Sequence, residues 1–125
     1  MTENDLSYAL GQAILPVLCD NTRLARQVAG SIFNRYGTVS LIFGKRRFID
    51  LFALSYSTLK LPQTTDDRLR AEVLCDIADE YDDALPVLIP CSPKAIEFTK
   101  KCESELEGRY IIASPSVFLN MNAEK

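Results

Sequence analysis

The stretch Ile14 to Phe33, reading Ile-Leu-Pro-Val-Leu-Cys-Asp-Asn-Thr-Arg-Leu-Ala-Arg-Gln-Val-Ala-Gly-Ser-Ile-Phe, limits what the chain can fold into more than any other. It reads as a strand, a polar turn and a helix. Ile14, Leu15, Val17 and Leu18 form a nearly unbroken apolar run, the pattern of a strand covered on both faces. Asp20 and Asn21 then offer side-chain oxygens to the free N–H groups of a helix start, and either suits the N-cap. Leu24, Val28 and Ile32, flanked by Ala25, Ala29 and Phe33, recur at helical spacing and make one apolar stripe that must lie on a sheet. Polar groups at the carboxyl end of such a strand, facing a helix N-terminus, occupy the usual ligand position of open α/β folds. The candidate site therefore begins at Asp20, Asn21 and Thr22.

The same logic repeats along the chain. Gly37 stops the first helix, and Val39 to Phe43 form a second strand before Gly44. Phe48 to Leu54 read as a short helix, and Ser55 to Leu61 as a weak strand ended by Pro62. Thr64 to Asp67 open the next helix, with Leu69, Val73, Leu74, Ile77, Ala78 and Tyr81 as its inward stripe. Pro86 to Cys91 are a strand followed by Ser92 as N-cap and Pro93 at the first helical position. Ala95, Ile96, Thr99, Cys102 and Leu106 face inward in the helix that follows, which Gly108 ends. Tyr110 to Ala113 form a last strand, and Ser114-Pro115 open a helix with Val117, Phe118 and Met121 that the end at Lys125 leaves short. About five alternations predict an α/β fold: an open, mainly parallel, Rossmann-like sheet of about five strands with helices on both faces. Residues 1–13 are an N-terminal arm and 14–125 a single domain. A strand order of 3-2-1-4-5 makes the strands ending at Cys19 and Cys91 neighbours about 5 Å apart, with thiols able to approach.

Composition removes several classes of chemistry. The chain has no histidine, so neither Ser-His-Asp nor Cys-His catalysis can operate within it. Its four cysteines have no Cys-x-x-Cys spacing, which argues against zinc ribbons and for reduced, mostly buried thiols. Asp79, Glu80, Asp82 and Asp83 lack the glycine turn of a calcium loop, so no metal site is expected. A formal net charge of −3 speaks against nucleic acid as a partner. No apolar run approaches the roughly 20 residues of a membrane span, and Met1 to Leu10 lack a signal-peptide pattern; no membrane partner and a cytoplasmic location are expected. Lys45, Arg46 and Arg47, at the carboxyl end of the second strand, are a candidate anion contact or a solvated loop. Pro16 to Ala29 contain no glycine, which excludes the Gly-x-Gly-x-x-Gly turn of dinucleotide binding. The acid cluster of a phosphoacceptor receiver is matched only at Asp20.

Several short signatures resemble one family. Pro16-Val17-Leu18 with its polar turn, Ala25-Arg26, Arg35-Tyr36-Gly37 leading into Ser40-Leu41, and Leu88-Ile89-Pro90-Cys91-Ser92 resemble the amino-terminal domain of ATP-grasp carboxylate–amine ligases, nearest to the D-aspartate ligase type. Glu105-Leu106, Tyr110-Ile111-Ile112 and the helix from Pro115 continue the likeness, which covers about Ile14 to Lys125. The resemblance implies a three-part enzyme that uses ATP and magnesium to make an acyl phosphate, which an amine then attacks. This chain is then the first part, with no cofactor and no catalytic residue of its own. Its partners are the ATP-binding domains C-terminal to it and a small carboxylate or amino-acid substrate. Asp20, Asn21, Thr22, Cys91 and Ser92 match the sheet edge that walls the substrate site, and the same residues serve equally as helix caps. The Cys-Asp-Asn-Thr turn departs from the glycine-rich turn of many relatives. A stand-alone flavodoxin-like binding or regulatory module is the alternative from another class.

Overall fold

A computed structural model describes residues 14–45, 47–59, 66–81 and 83–123. Five strands, β1 (Ile14–Cys19), β2 (Ser40–Phe43), β3 (Tyr56–Leu59), β4 (Leu85–Pro90) and β5 (Ile111–Ile112), form one sheet in the order β3-β2-β1-β4-β5. Every pairing is parallel. All six residues of β1 are buried, as its unbroken apolar run requires of the central strand. Helices α1 (Arg23–Tyr36), α2 (Asp67–Glu80), α3 (Pro93–Lys101), α4 (Glu103–Leu106) and α5 (Pro115–Ala123) divide between the two faces.

Alternation along β1 assigns its side chains to those faces. Ile14 and Leu18 join Ala25, Val28, Ala29 and Ile32 of α1 and Phe118 of α5 in one core layer. Leu15, Val17 and Cys19 join Leu74 and Ala78 of α2, Ala95 and Phe98 of α3, and Leu106 of α4 in the other. Helix α1 ends at Gly37, whose φ of +70° is the left-handed cap conformation. Ser92 caps α3, with Pro93 opening it, as the sequence predicts.

Other expectations are corrected. Neither Asp20 nor Asn21 caps α1; Thr22 does, accepting from the Ala25 N–H at 3.1 Å. In α2 the inward positions are Ala71, Leu74 and Ala78, while Leu69 and Tyr81 lie exposed: small residues let this helix sit close to the sheet. In α3, Phe98 takes the buried place predicted for Ile96, which is exposed. The helix predicted to run to Gly108 breaks at Cys102 into α3 and α4. Cys19 and Cys91 are neighbours, the Cys91 N–H donating to the Cys19 carbonyl, but the thiols lie in different core layers and remain free. Thr64, Thr65 and the arm over residues 1–13 lie outside the described residues.

The short helix expected between β2 and β3 is present, but its burial is unusual. Phe48–Phe52 form a 3-10 turn in which the apolar and polar roles are exchanged. Phe48, Ile49, Leu51, Phe52 and Leu54 are 52 to 83% exposed, while Asp50 is only 7% exposed. Asp50 Oδ1 accepts from the Tyr56 hydroxyl at 2.6 Å, and Oδ2 from the Arg47 N–H at 2.6 Å and the Asn21 amide at 2.7 Å. Three donors make this carboxylate an inward anchor, and the hydrophobic residues around it turn outward.

Candidate functional site at the carboxyl edge of β1 and β4

From β1 the chain builds outward to β2 and β3, then returns to place β4 on the other side of β1. The connections therefore diverge at the carboxyl ends of β1 and β4, which is where open α/β sheets leave a crevice. Two side-chain bonds tie its floor together. Thr22 Oγ1 donates to the Cys91 carbonyl at 3.0 Å, and Ser92 Oγ donates to Asp20 Oδ2 at 2.8 Å while accepting from the Ala95 N–H at 3.0 Å. Thr22 and Ser92 thus cap their helices and clamp β1 to β4.

Above this floor lies a cleft of about 290 Å³ between the starts of α2 and α3. Cys19, Asp20, Asp67, Arg70, Lys94, Ala95, Glu97, Phe98 and Lys101 line it. Lys101 Nζ is 3.7 Å from Asp67 Oδ2, so this pair offsets part of the charge. The Nε of Arg70 is buried and has no hydrogen-bond partner. Beside the Lys101–Asp67 pair, Arg70 and Lys94 face Asp20 and Glu97, so the lining carries both signs of charge and suits a small zwitterion, its carboxylate toward the two cations. Burial, then the Asp20 and Cys91 charges, push the Cys19 thiol far above its ordinary range. Burial and then Asp20 push Cys91 up to about 12. Neither thiol is a nucleophile at neutral pH, and the cleft is equipped to bind and orient.

The five residues expected on this edge divide between two networks. Asp20 lines the cleft, Ser92 holds it, Thr22 braces the floor, and Cys91 is buried beneath, its thiol against the Ile89 carbonyl at 3.5 Å. Asn21 turns away. Its amide donates to the Lys45 carbonyl at 2.9 Å and to Asp50, and its Oδ1 accepts from Arg26 Nη1 at 3.0 Å. Gly44 makes this approach possible, because a Cβ there would stand 2.7 Å from the Asn21 nitrogen. Lys45 and Arg47 are exposed and do not line the cleft, and Arg46 lies outside the described residues. Burial by itself raises the Asp50 pKa; the bonds from Tyr56, Arg47 and Asn21, with the Arg26 charge, outweigh it and hold the carboxyl below its ordinary value.

Sequence reasoning missed Asp67, Arg70, Lys94 and Lys101. One signal was present at Lys94: a cation in the first turn of α3 opposes the helix dipole, a placement that asks for a reason beyond helix stability. Arg70 carries no such mark, because only the packing of α2 against α3 brings it to the cleft. Among the described residues no three His, Cys, Asp or Glu side chains gather as a metal site. Comparison of the chain with protein-family models, curated proteins and solved structures gives no match.

Proposed function

We propose that this chain is the substrate-side, N-terminal domain of an ATP-grasp ligase that joins a carboxylate to an amine through an acyl phosphate. The observation that carries the reading is that Arg70, whose buried Nε has no partner, lines one cleft with Lys94 and Asp20, at the edge where the resemblance puts the substrate wall. Arg70 and Lys94 receive the carboxylate of a small substrate, and Asp20, fixed by Ser92, faces its ammonium group when that substrate is an amino acid. Domains C-terminal to this one hold ATP and magnesium, which supply the phosphoryl group. The present residues contribute orientation and charge complementarity only, so the chain by itself is inactive.

Titration of the isotope-labelled chain with a panel of amino acids and simple carboxylates, followed by amide chemical shifts, tests this. Millimolar binding is expected at Asp20, Arg70, Lys94 and Ala95, and it is expected to vanish in Arg70→Met and in Lys94→Ala. Micromolar binding of magnesium-ATP by this chain would overturn the division of labour. The absence of any carboxylate binding would leave the field to a flavodoxin-like contact module.

A further inference from the structure

The 3-10 turn poses a question that the cleft does not. Side chains three apart eclipse in such a turn, so Phe48 and Leu51 form one row, Ile49 and Phe52 a second, and Asp50 the third. Only the third faces the protein. The Phe48 and Phe52 rings meet edge to face at 5.6 Å, and Leu54 extends the apolar surface toward β3. Together the five outward side chains expose on the order of 600 Å² of apolar surface, at the top of what an ordinary monomer shows. Water is a poor solvent for this knob.

Charge surrounds it unevenly. Residues 21–59 hold six Lys and Arg against one carboxylate, Asp50, whereas the rest of the chain holds eight against sixteen. That single carboxylate is buried and used internally, and Lys45 and Arg47 stand exposed at the root of the knob. The projection is thus apolar on two of its three rows and cationic at its base, and the segment 21–59 that forms it offers no exposed acid. A second copy of this face brings Lys45 and Arg47 against their own kind. A protein partner must offer a preformed acidic groove that encloses a projection. A lipid interface needs no groove, and anionic headgroups supply the charge.

We propose that Phe48–Leu54, with Lys45 and Arg47, dock this domain on a bilayer surface carrying anionic lipid. The apolar rows enter the headgroup–acyl boundary and the two cations hold lipid phosphates. No helix among the described residues is long and apolar enough to cross a membrane, and surface docking requires none.

The chain contains no tryptophan, so Phe52→Trp is a clean reporter of insertion and Leu69→Trp, on α2, its control. Both are mixed with vesicles of phosphatidylcholine alone or with about a third phosphatidylglycerol, where each surface cation adds attraction. The Phe52→Trp emission shifts to the blue only with the anionic vesicles, and the control stays unchanged. Co-sedimentation is at least about tenfold stronger with anionic lipid, falls about tenfold in the Lys45→Glu, Arg47→Glu pair or in Phe48→Ser, and weakens as salt screens the charges. Equal or absent binding with the two vesicle types overturns the proposal. So does a lipid-free blue shift that grows with protein concentration, which assigns the knob to contact between copies.

Discussion

Replacing Asp50 with alanine tests the anchor on which the whole β2–β3 connection depends. The substitution leaves three donors without their acceptor, but their losses differ. Asn21 and Arg47 lie near solvent and regain water, whereas the Tyr56 hydroxyl is buried and does not. An unsatisfied buried donor costs about 1–3 kcal/mol, and a hydrogen bond to a charged group contributes about 1.5–3 kcal/mol, so roughly 3 kcal/mol in total is expected. For a domain of this size that is about 10 °C in Tm. Asp50→Asn keeps the shape and one acceptor and is expected to cost about half as much. Urea unfolding of Asp50→Ala, Tyr56→Phe and the double variant closes a cycle with a coupling of about 1–2 kcal/mol. The pH dependence carries a sign. The folded carboxyl lies below its ordinary 3.8, so its stabilisation is fully present above that value and disappears as pH falls through the lowered folded pKa. Wild type and Asp50→Asn should therefore converge in strong acid. An Asp50→Ala cost below about 0.5 kcal/mol, or additivity of the two single variants, would refute the anchor role.

Three further outcomes follow from particular residues. Burial, reinforced by the Asp50 hydrogen bond and charge, raises the Tyr56 pKa from 10.0 to about 12; its stabilisation is complete below pH 10 and lost as pH climbs toward 12, an alkaline decline that Tyr56→Phe should remove in unfolding measurements. Gly44→Ala places a Cβ 2.7 Å from the Asn21 backbone nitrogen at a φ of +151°, so a loss of about 2–4 kcal/mol is expected by urea unfolding, against about 1 kcal/mol for Gly37→Ala, where the space is open. Ser40 is fully buried with its hydroxyl unpartnered, so Ser40→Ala should be neutral or stabilising by about 1 kcal/mol in the same assay.

The sheet was legible because most of its strands announce themselves locally, β3 only weakly. The apolar runs at Ile14–Leu18 and Val87–Ile89 fix covered strands, and Gly37, Ser92 and Pro93 mark helix ends through backbone chemistry that acts within a few residues. Half of the candidate site was legible for the same reason: Asp20 and Ser92 sit at strand ends. Arg70 and Lys101 were not, because helices from two different crossovers must pack before either reaches the cleft. Phe48–Leu54 was legible as a short helix, realised as the 3-10 turn Phe48–Phe52, but not in which side it buries. Hydrophobicity alone assigns such a segment to the core, and the contrary outcome depends on Asp50 meeting Tyr56, Asn21 and Arg47, three donors spread across β3, the β1–α1 turn and the loop itself.

The clamp between β1 and β4 also sets an order of assembly. Asn21 reaches Lys45 across 24 residues of chain, but Thr22 must find Cys91 across 69 and Ser92 must find Asp20 across 72. Each longer closure costs more chain entropy, by about 0.6 kcal/mol per doubling of length, and it is repaid only once both strand ends have met. The half made of β1, α1, β2 and the Asp50 anchor can therefore collapse on local contacts while β4 is still searching. By the same entropy argument the Arg70 cleft, which needs both strands, forms after that half.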